Sequence, residues 1–180
     1  MSHSPFVAHN GFALPPQGFG TYNLRGDAGA QSVRTAVELG YRLVDTAFNY
    51  ENEGAVGYGV VASDVDRDEL IVTTKLAGRH HERERALVSV EESRRRLGLD
   101  VIDLVLILWP NPAADRYVEA WAALVELRER GVVREIGVSN FLPEHLERIE
   151  AATGVHPVVN QIELHPYFPQ VEALAYNLER

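Results

Sequence analysis

Residues 39–57 read Leu-Gly-Tyr-Arg-Leu-Val-Asp-Thr-Ala-Phe-Asn-Tyr-Glu-Asn-Glu-Gly-Ala-Val-Gly. Leu43 and Val44 form a short apolar run that stops at Asp45, so a carboxylate stands where a buried strand leaves its sheet. Tyr50 follows in a short loop, and Asn52, Glu53 and Gly54 open a helix that continues through Ala55, Val56 and Val60. The order is strand, polar loop, helix. A carboxylate at a strand exit with a phenol beyond it suits an ordinary surface as well as a reaction centre, so the rest of the chain must decide.

The same order recurs on both sides of this stretch. Upstream, Asn10-Gly11 between short apolar pieces predicts a hairpin within Phe6 to Tyr22, and Gly18 to Tyr22 reads as a first strand. Ala28 to Leu39 reads as a helix closed by Gly40. Downstream, a helix from about Asn52 to Ser63 leads to the strand Leu70 to Lys75, which is apolar first and polar at its exit. Leu87, Val90 and Leu97 mark one side of a helix from about Glu82 that Gly98 ends. Ile102 to Trp109 is a nearly continuous apolar strand before Pro110, as expected of a parallel strand covered on both faces. A helix carrying Tyr117, Trp121, Leu124 and Val125 ends at Gly131. A strand from Val132 to Val138 exits at Ser139-Asn140, and a helix from Pro143 ends at Gly154. The strand Val158 to Ile162 and a helix from Val171 to Arg180 complete the chain.

Six strand-then-helix units with short connections imply a parallel sheet with helices outside it, either doubly wound or part of a barrel. Asp45, Lys75, Ser139, Asn140 and Gln161 all fall at C-terminal ends of different strands, the ends that converge on the mouth of a TIM-type barrel. Gly18-Phe19-Gly20 lacks the third glycine of a dinucleotide fingerprint and precedes a strand where that motif should follow one, so it is set aside.

Composition narrows the class. The 180 residues are 46% hydrophobic, enough for a real core in one domain. Lys and Arg number 17 against 26 Asp and Glu, and the formal charge of -9 argues against a general nucleic-acid or anionic-membrane surface. Cys is absent, which removes disulfides and thiolate chemistry and suits a reducing cytoplasm. No run approaches the roughly 20 apolar residues of a membrane span, and no basic-then-apolar leader opens the chain. His80 and His81 lie in a polar loop and are expected to be solvated. His165 has no second ligand at metal-binding spacing, so no metal is expected.

Tyr41-Arg42-Leu43-Val44-Asp45-Thr46-Ala47 with Tyr50, Asn52 and Glu53 resembles the first signature of the aldo-keto reductases. Ile71 to Lys75 resembles that family's lysine strand, Gly137 to Phe141 its cofactor-loop strand, and Asn160 to Pro166 the strand that follows. The matches fall in the right order from about Gly20 to Pro166. The resemblance implies a (β/α)8 barrel that reduces small aldehydes or ketones with NADPH. It gives Tyr50 the role of general acid, Lys75 the role of favouring the phenolate, and Asp45 that of holding Lys75. It places Gly20, Thr21, Ser139, Asn140 and Gln161 at the cofactor, the last three on the nicotinamide carboxamide, and Tyr22, Leu108 and Trp109 at the substrate pocket.

Each role has a plainer reading. Asp45 and Lys75 can be a structural ion pair, Ser139 and Asn140 can cap the helix at Pro143, and Tyr22 and Trp109 can be core aromatics. Two departures from the family pattern also stand out. The family usually places His beside the Trp at the end of the fourth strand, where this chain has Leu108, which cannot donate a hydrogen bond. A TIM barrel has eight strands and about 250 residues, whereas six units are read here, so residues 1–180 are expected to form one C-terminally incomplete domain. Its two open sheet edges are expected to favour self-association. The rival reading is a catalytically impaired remnant that binds nucleotide weakly or pairs with another protein; another barrel enzyme, such as an isomerase, fits the Asp45, Tyr50 and Lys75 set less well.

Overall fold

A computed structural model describes residues 4–179. Six parallel strands lie side by side in chain order: β3 (Phe19–Gly20), β4 (Leu43–Asp45), β5 (Ile71–Leu76), β6 (Ile102–Ile107), β7 (Val133–Ser139) and β8 (Asn160–Gln161). They are preceded by an antiparallel pair, β1 (Phe6–Val7) and β2 (Ala13–Leu14). Helices α1 (Gly26–Glu38), α2 (Glu53–Val61), α3 (Arg83–Leu97), α4 (Tyr117–Glu129) and α5 (Pro143–Thr153) make the crossovers, and α6 (Val171–Leu178) follows β8. This is a curled partial barrel, six units of a (β/α)8 plan with an N-terminal hairpin: the alternation predicts the parallel sheet, and of the two forms it leaves open the barrel is the one found. Arg180 lies outside the described residues.

Side-chain alternation along the strands divides the core in two. Val44, Val72, Leu76, Val105, Ile107, Ile136 and Val138 face the helices and pack with Val33, Val37, Val56, Val60, Val90, Trp121 and Leu124. Trp121 is fully buried, and its indole N–H is satisfied by the Thr153 hydroxyl at 3.1 Å and the Val155 carbonyl at 3.3 Å. On the other face, Ile71, Leu104, Leu106 and Val158 pack around Phe12 of the hairpin. The hairpin therefore fills the interior at the N-terminal ends of the strands. Its turn is held by Asn10, whose Oδ1 accepts the Phe12 N–H at 3.0 Å, and Gly11 adopts φ +87°, as the sequence predicts for Asn-Gly.

α2 and α3 touch through backbone. A Cβ on Gly57 would stand 2.0 Å from the Leu97 carbonyl oxygen, so only glycine allows this approach. That contact brings α3 against the segment that follows Tyr50.

Several boundaries differ from the sequence reading. β3 and β8 have two residues each, shorter than the runs 18–22 and 158–162, because among the described residues each has a ladder partner on one side only: β3 on β4, and β8 on β7. Ser139 and Asn140 do not cap α5. Its N-cap is Leu142, whose N–H donates to the His145 ring at 3.1 Å. Among the described residues, no helix is long and apolar enough to cross a membrane.

Candidate active site

β4 ends at Asp45 and β5 carries Lys75 one residue before its end, and the register pairs Asp45 with Thr73 across the two strands. That offset lets the Lys75 ammonium reach back along the interior face. It donates to Asp45 Oδ1 and, at 3.0 Å, to the Thr46 carbonyl. Lys75 is 2% exposed. Burial pulls its pKa below the usual lysine value, and the Asp45 carboxylate opposes that pull.

Tyr50 ends a short turn, Phe48–Tyr50, that follows β4. The Lys75 ammonium lies 5.2 Å from the centroid of its ring, and the Tyr22 ring meets it edge-on at 5.1 Å. The Tyr50 hydroxyl makes no hydrogen bond among the described residues, which leaves it available to a ligand. Its pKa is raised, first by burial, then by the Asp45 carboxylate and by Tyr22. The ammonium is bonded to Asp45 and Thr46, and burial first, then the Asp45 carboxylate, keeps the phenol protonated in the free chain. A protonated phenol is the form a general acid needs.

β7 and β8 supply the third side. The Ser139 hydroxyl donates to the Gln161 carbonyl at 2.9 Å, and the Asn140 amide N–H donates to Ser139 Oγ at 3.0 Å and the Leu108 carbonyl at 3.2 Å. Gln161 Nε2 donates to Asp45 Oδ2 at 3.0 Å. Asp45 therefore links Lys75 with Gln161, and the site closes across β4, β5 and β8. Asn140 holds φ +61°, a left-handed backbone that Asn tolerates better than most residues.

Thr21 is buried, and its N–H and hydroxyl both meet the Asp45 carbonyl, at 3.0 and 2.9 Å. It fixes backbone, whereas Gly20 beside it is exposed. Tyr22 and Trp109 are 68% and 54% exposed, which removes their reading as core aromatics. Leu108 is partly buried and adjoins Trp109 without a donor of its own.

The sequence reading gave no structural role to Asn52 or to the side chain of Thr46. Asn52 Oδ1 accepts from Thr46 Oγ1 at 2.7 Å, and its amide donates to the carbonyls of Thr21 at 2.8 Å and Leu24 at 2.9 Å. It ties the exits of β3 and β4 together beneath Tyr50. A polar residue at the start of an apolar helix is the only sequence signal for this, and it is shared with ordinary caps.

The expectation for the histidine pair is overturned. His81 is 1% exposed with neither ring nitrogen bonded among the described residues, and burial, with a smaller effect of His80, pushes its pKa down to about 4. His80 is half-buried; its Nδ1 pairs with Ser89 Oγ at 2.9 Å and its ring meets Phe48 edge-on. The loop is short and α3 packs at once, so polar composition did not keep it in water.

A folded-state pKa near 4 lies below the ordinary histidine value of about 6.5, so the unfolded chain binds more protons between them. Stability contributed by neutral His81 is fully present above about pH 6.5 and lost as pH falls toward 4, on the order of 2–3 kcal/mol. Urea midpoints measured from pH 7 to 4 should therefore fall less for His81→Leu than for the wild type. Parallel curves would show that His81 carries no such linkage.

The model of the aldo/keto reductase family matches residues 18–177. The 2,5-diketo-D-gluconic acid reductase B of Corynebacterium sp. (strain SHS752001) is 52% identical over 99% of this chain and 65% of its own length. The methylglyoxal reductase DkgA of Escherichia coli (strain K12) is 43% identical over 93% of this chain and 60% of its own. The chain thus spans less than two thirds of the length of these relatives. Among solved structures, the aldo/keto reductase from Brucella melitensis superposes with a TM-score of 0.93 at 39% identity, covering 97% of this chain and 68% of that one. A Gox0644 mutant in complex with NADPH superposes with the same score at 46% identity, covering 99% and 65%.

Proposed function

The chain belongs to the aldo/keto reductase family, and from that premise we propose that it carries out NADPH-dependent reduction of small aldehydes or ketones to alcohols, with Tyr50 as general acid assisted by Lys75 and Asp45. The observation that carries this reading is the meeting of Lys75, Asp45 and a protonated, unbonded Tyr50 at the C-terminal ends of adjacent strands. An ion pair kept only for stability has no need of a phenol over its ammonium.

The residues present fit the nicotinamide end of the cofactor. A carboxamide needs acceptors for its NH2 and a donor for its oxygen. The amide oxygens of Asn140 and Gln161 accept no hydrogen bond among the described residues, and the Ser139 hydroxyl and the Asn140 and Gln161 amides can donate after exchanging their present partners. When bound, NADPH supplies the hydride for the carbonyl carbon. The chain's own residues then do the rest: Tyr50 hydrogen-bonds the carbonyl oxygen and gives it a proton as charge develops there. Lys75, held charged by Asp45, stabilises the phenolate left behind. Tyr22 and Trp109 wall off water around the substrate.

The names of the relatives direct the choice of substrates to 2-oxoaldehydes such as methylglyoxal and to diketo sugar acids. The test follows NADPH oxidation with both, using the 180-residue chain and the chain joined to the remaining third of the Corynebacterium relative. Aldehyde-dependent oxidation that Tyr50→Phe abolishes supports the reading, and none in either form would refute it.

Leu108 favours a second reading, an impaired relative that binds nucleotide without efficient turnover, because a polarising donor to the substrate is missing beside Trp109. Leu108→His in the joined chain should raise kcat/KM by ~10-fold or more, the scale of one transition-state hydrogen bond. A joined chain that is already fast with Leu108 and unchanged by the histidine would show that another donor serves.

A further inference from the structure

We propose that Arg96, held by the buried carboxylate of Glu53, is a positioning residue for Tyr50, acting through the ring of Phe48; this rests on the role proposed for Tyr50. The turn that carries Tyr50 has little of its own to hold it. Its backbone bonds are Tyr50 N–H to the Ala47 carbonyl at 3.0 Å and Glu51 N–H to the Phe48 carbonyl at 3.2 Å, and Glu51 leaves it at φ +54°. Its orientation must come from side chains.

Phe48, at the start of the turn, supplies them. The Arg96 guanidinium lies 4.7 Å from the Phe48 ring centroid and the Arg79 guanidinium 4.9 Å, while the His80 ring meets its edge at 4.7 Å. Arg79 is exposed, and its side-chain hydrogen bond among the described residues is to Asn49 of the same turn, so it gives Phe48 no anchor outside that turn. Arg96 is anchored elsewhere. Its Nε donates to Glu53 Oε2 at 2.8 Å and its Nη2 to Ser93 Oγ at 3.1 Å.

Glu53 is 2% exposed, and its other oxygen accepts from Thr74 Oγ1 at 2.6 Å. Thr74 adjoins Lys75 on β5, Glu53 opens α2 just beyond Tyr50, and Arg96 lies in the last turn of α3. One carboxylate thus joins the strand of the lysine, the helix after the phenol and the helix behind both. Glu53 stands on the same face as Val56 and Val60, which are buried and apolar. An apolar side chain would fill that face without the cost of burying a charge, so the ion pair is poorly explained by stability. What it adds is direction: two oxygens with different partners set the spacing of β5 from α3 and turn the guanidinium plane onto Phe48.

The test reads Tyr50 directly, by NMR of the 180-residue chain labelled with [ζ-13C]tyrosine, its signal assigned from Tyr50→Phe. Variants Arg96→Met and Phe48→Leu are compared, the second leaving the Glu53–Arg96 pair whole in case the first folds poorly. In each, the Tyr50 signal should broaden or split, and its pKa should fall from its raised value toward the ordinary phenol value of about 10 as water reaches the displaced ring. The buried Tyr117, on α4, should stay unmoved. A Tyr50 signal unchanged in Phe48→Leu, or one that moves only together with Tyr117, would overturn the proposal. In whichever form reduces carbonyls, both variants should lower kcat by ~10-fold or more with little change in KM, the signature of a misplaced acid. A chain with no reductase activity would refute the proposed reaction and leave the NMR result to decide the positioning.

Discussion

Tyr50→Phe is expected to lower carbonyl reduction by ~10²- to 10⁴-fold in the active form of the chain, the range a positioned general acid supplies. The thermal midpoint should hardly move. The phenylalanine ring keeps the edge contact with Tyr22 and the place beneath the Lys75 ammonium, and the lost hydroxyl had no partner among the described residues. Only the transferable proton goes. NADPH oxidation and a thermal melt on the same preparations decide it: activity within a few-fold of wild type would mean that water or another side chain protonates the substrate. A large drop in midpoint would mean that the hydroxyl is structural after all.

The largest effect on stability is expected from Asp45→Leu. It leaves the Lys75 ammonium, 2% exposed, with the Thr46 carbonyl as its one remaining hydrogen-bond partner among the described residues. Breaking a buried pair from one side costs about 3–5 kcal/mol, because the stranded charge has lost its compensation. For a chain of this length that is a fall in midpoint of about 10 °C. Lys75→Met should cost less, since Asp45 is partly exposed and keeps Gln161 as a donor. The double variant should recover much of the loss of Asp45→Leu, having no orphan charge. Additive losses in the double variant would show that the pair is not coupled and would remove the argument that Asp45 holds Lys75.

Most of this architecture could be read before any coordinates. Apolar runs that stop at polar residues placed β4, β5, β6 and β7 nearly as found, because a strand covered on both faces leaves an unbroken hydrophobic signature. The short β3 and β8 were overdrawn, since apolar pattern records which residues avoid water and says nothing of how many ladder partners a strand has. Asp45, Tyr50, Lys75 and Gln161 were legible through strand-end placement and family resemblance together. His81 was not: its neighbours in sequence are polar, and its burial comes from the loop folding under α3. The raised pKa of Tyr50 was also beyond reach, because it depends first on how deeply the ring is buried and then on its distance from Asp45 and Tyr22. The Glu53–Arg96 pair left a faint trace, a carboxylate on the apolar stripe of Val56 and Val60, that helix periodicity alone could have flagged.

The hairpin at the other end of the barrel has a bearing on the chemistry. Phe12, with Leu104 and Leu106 around it, forms an apolar floor on the interior face below the Asp45–Lys75 pair, and the strand register sets Leu106 level with Lys75 and Leu104 level with Thr73. An ammonium on such a floor is insulated from below. Under the role proposed for Tyr50, a proton that it gives up would be replaced from the other side, at the C-terminal ends of the strands, along the route by which substrate would arrive and alcohol would leave. A bound substrate would then also be a stopper: each turnover would begin with the one proton already on the phenol, and recharging would wait for the product to depart.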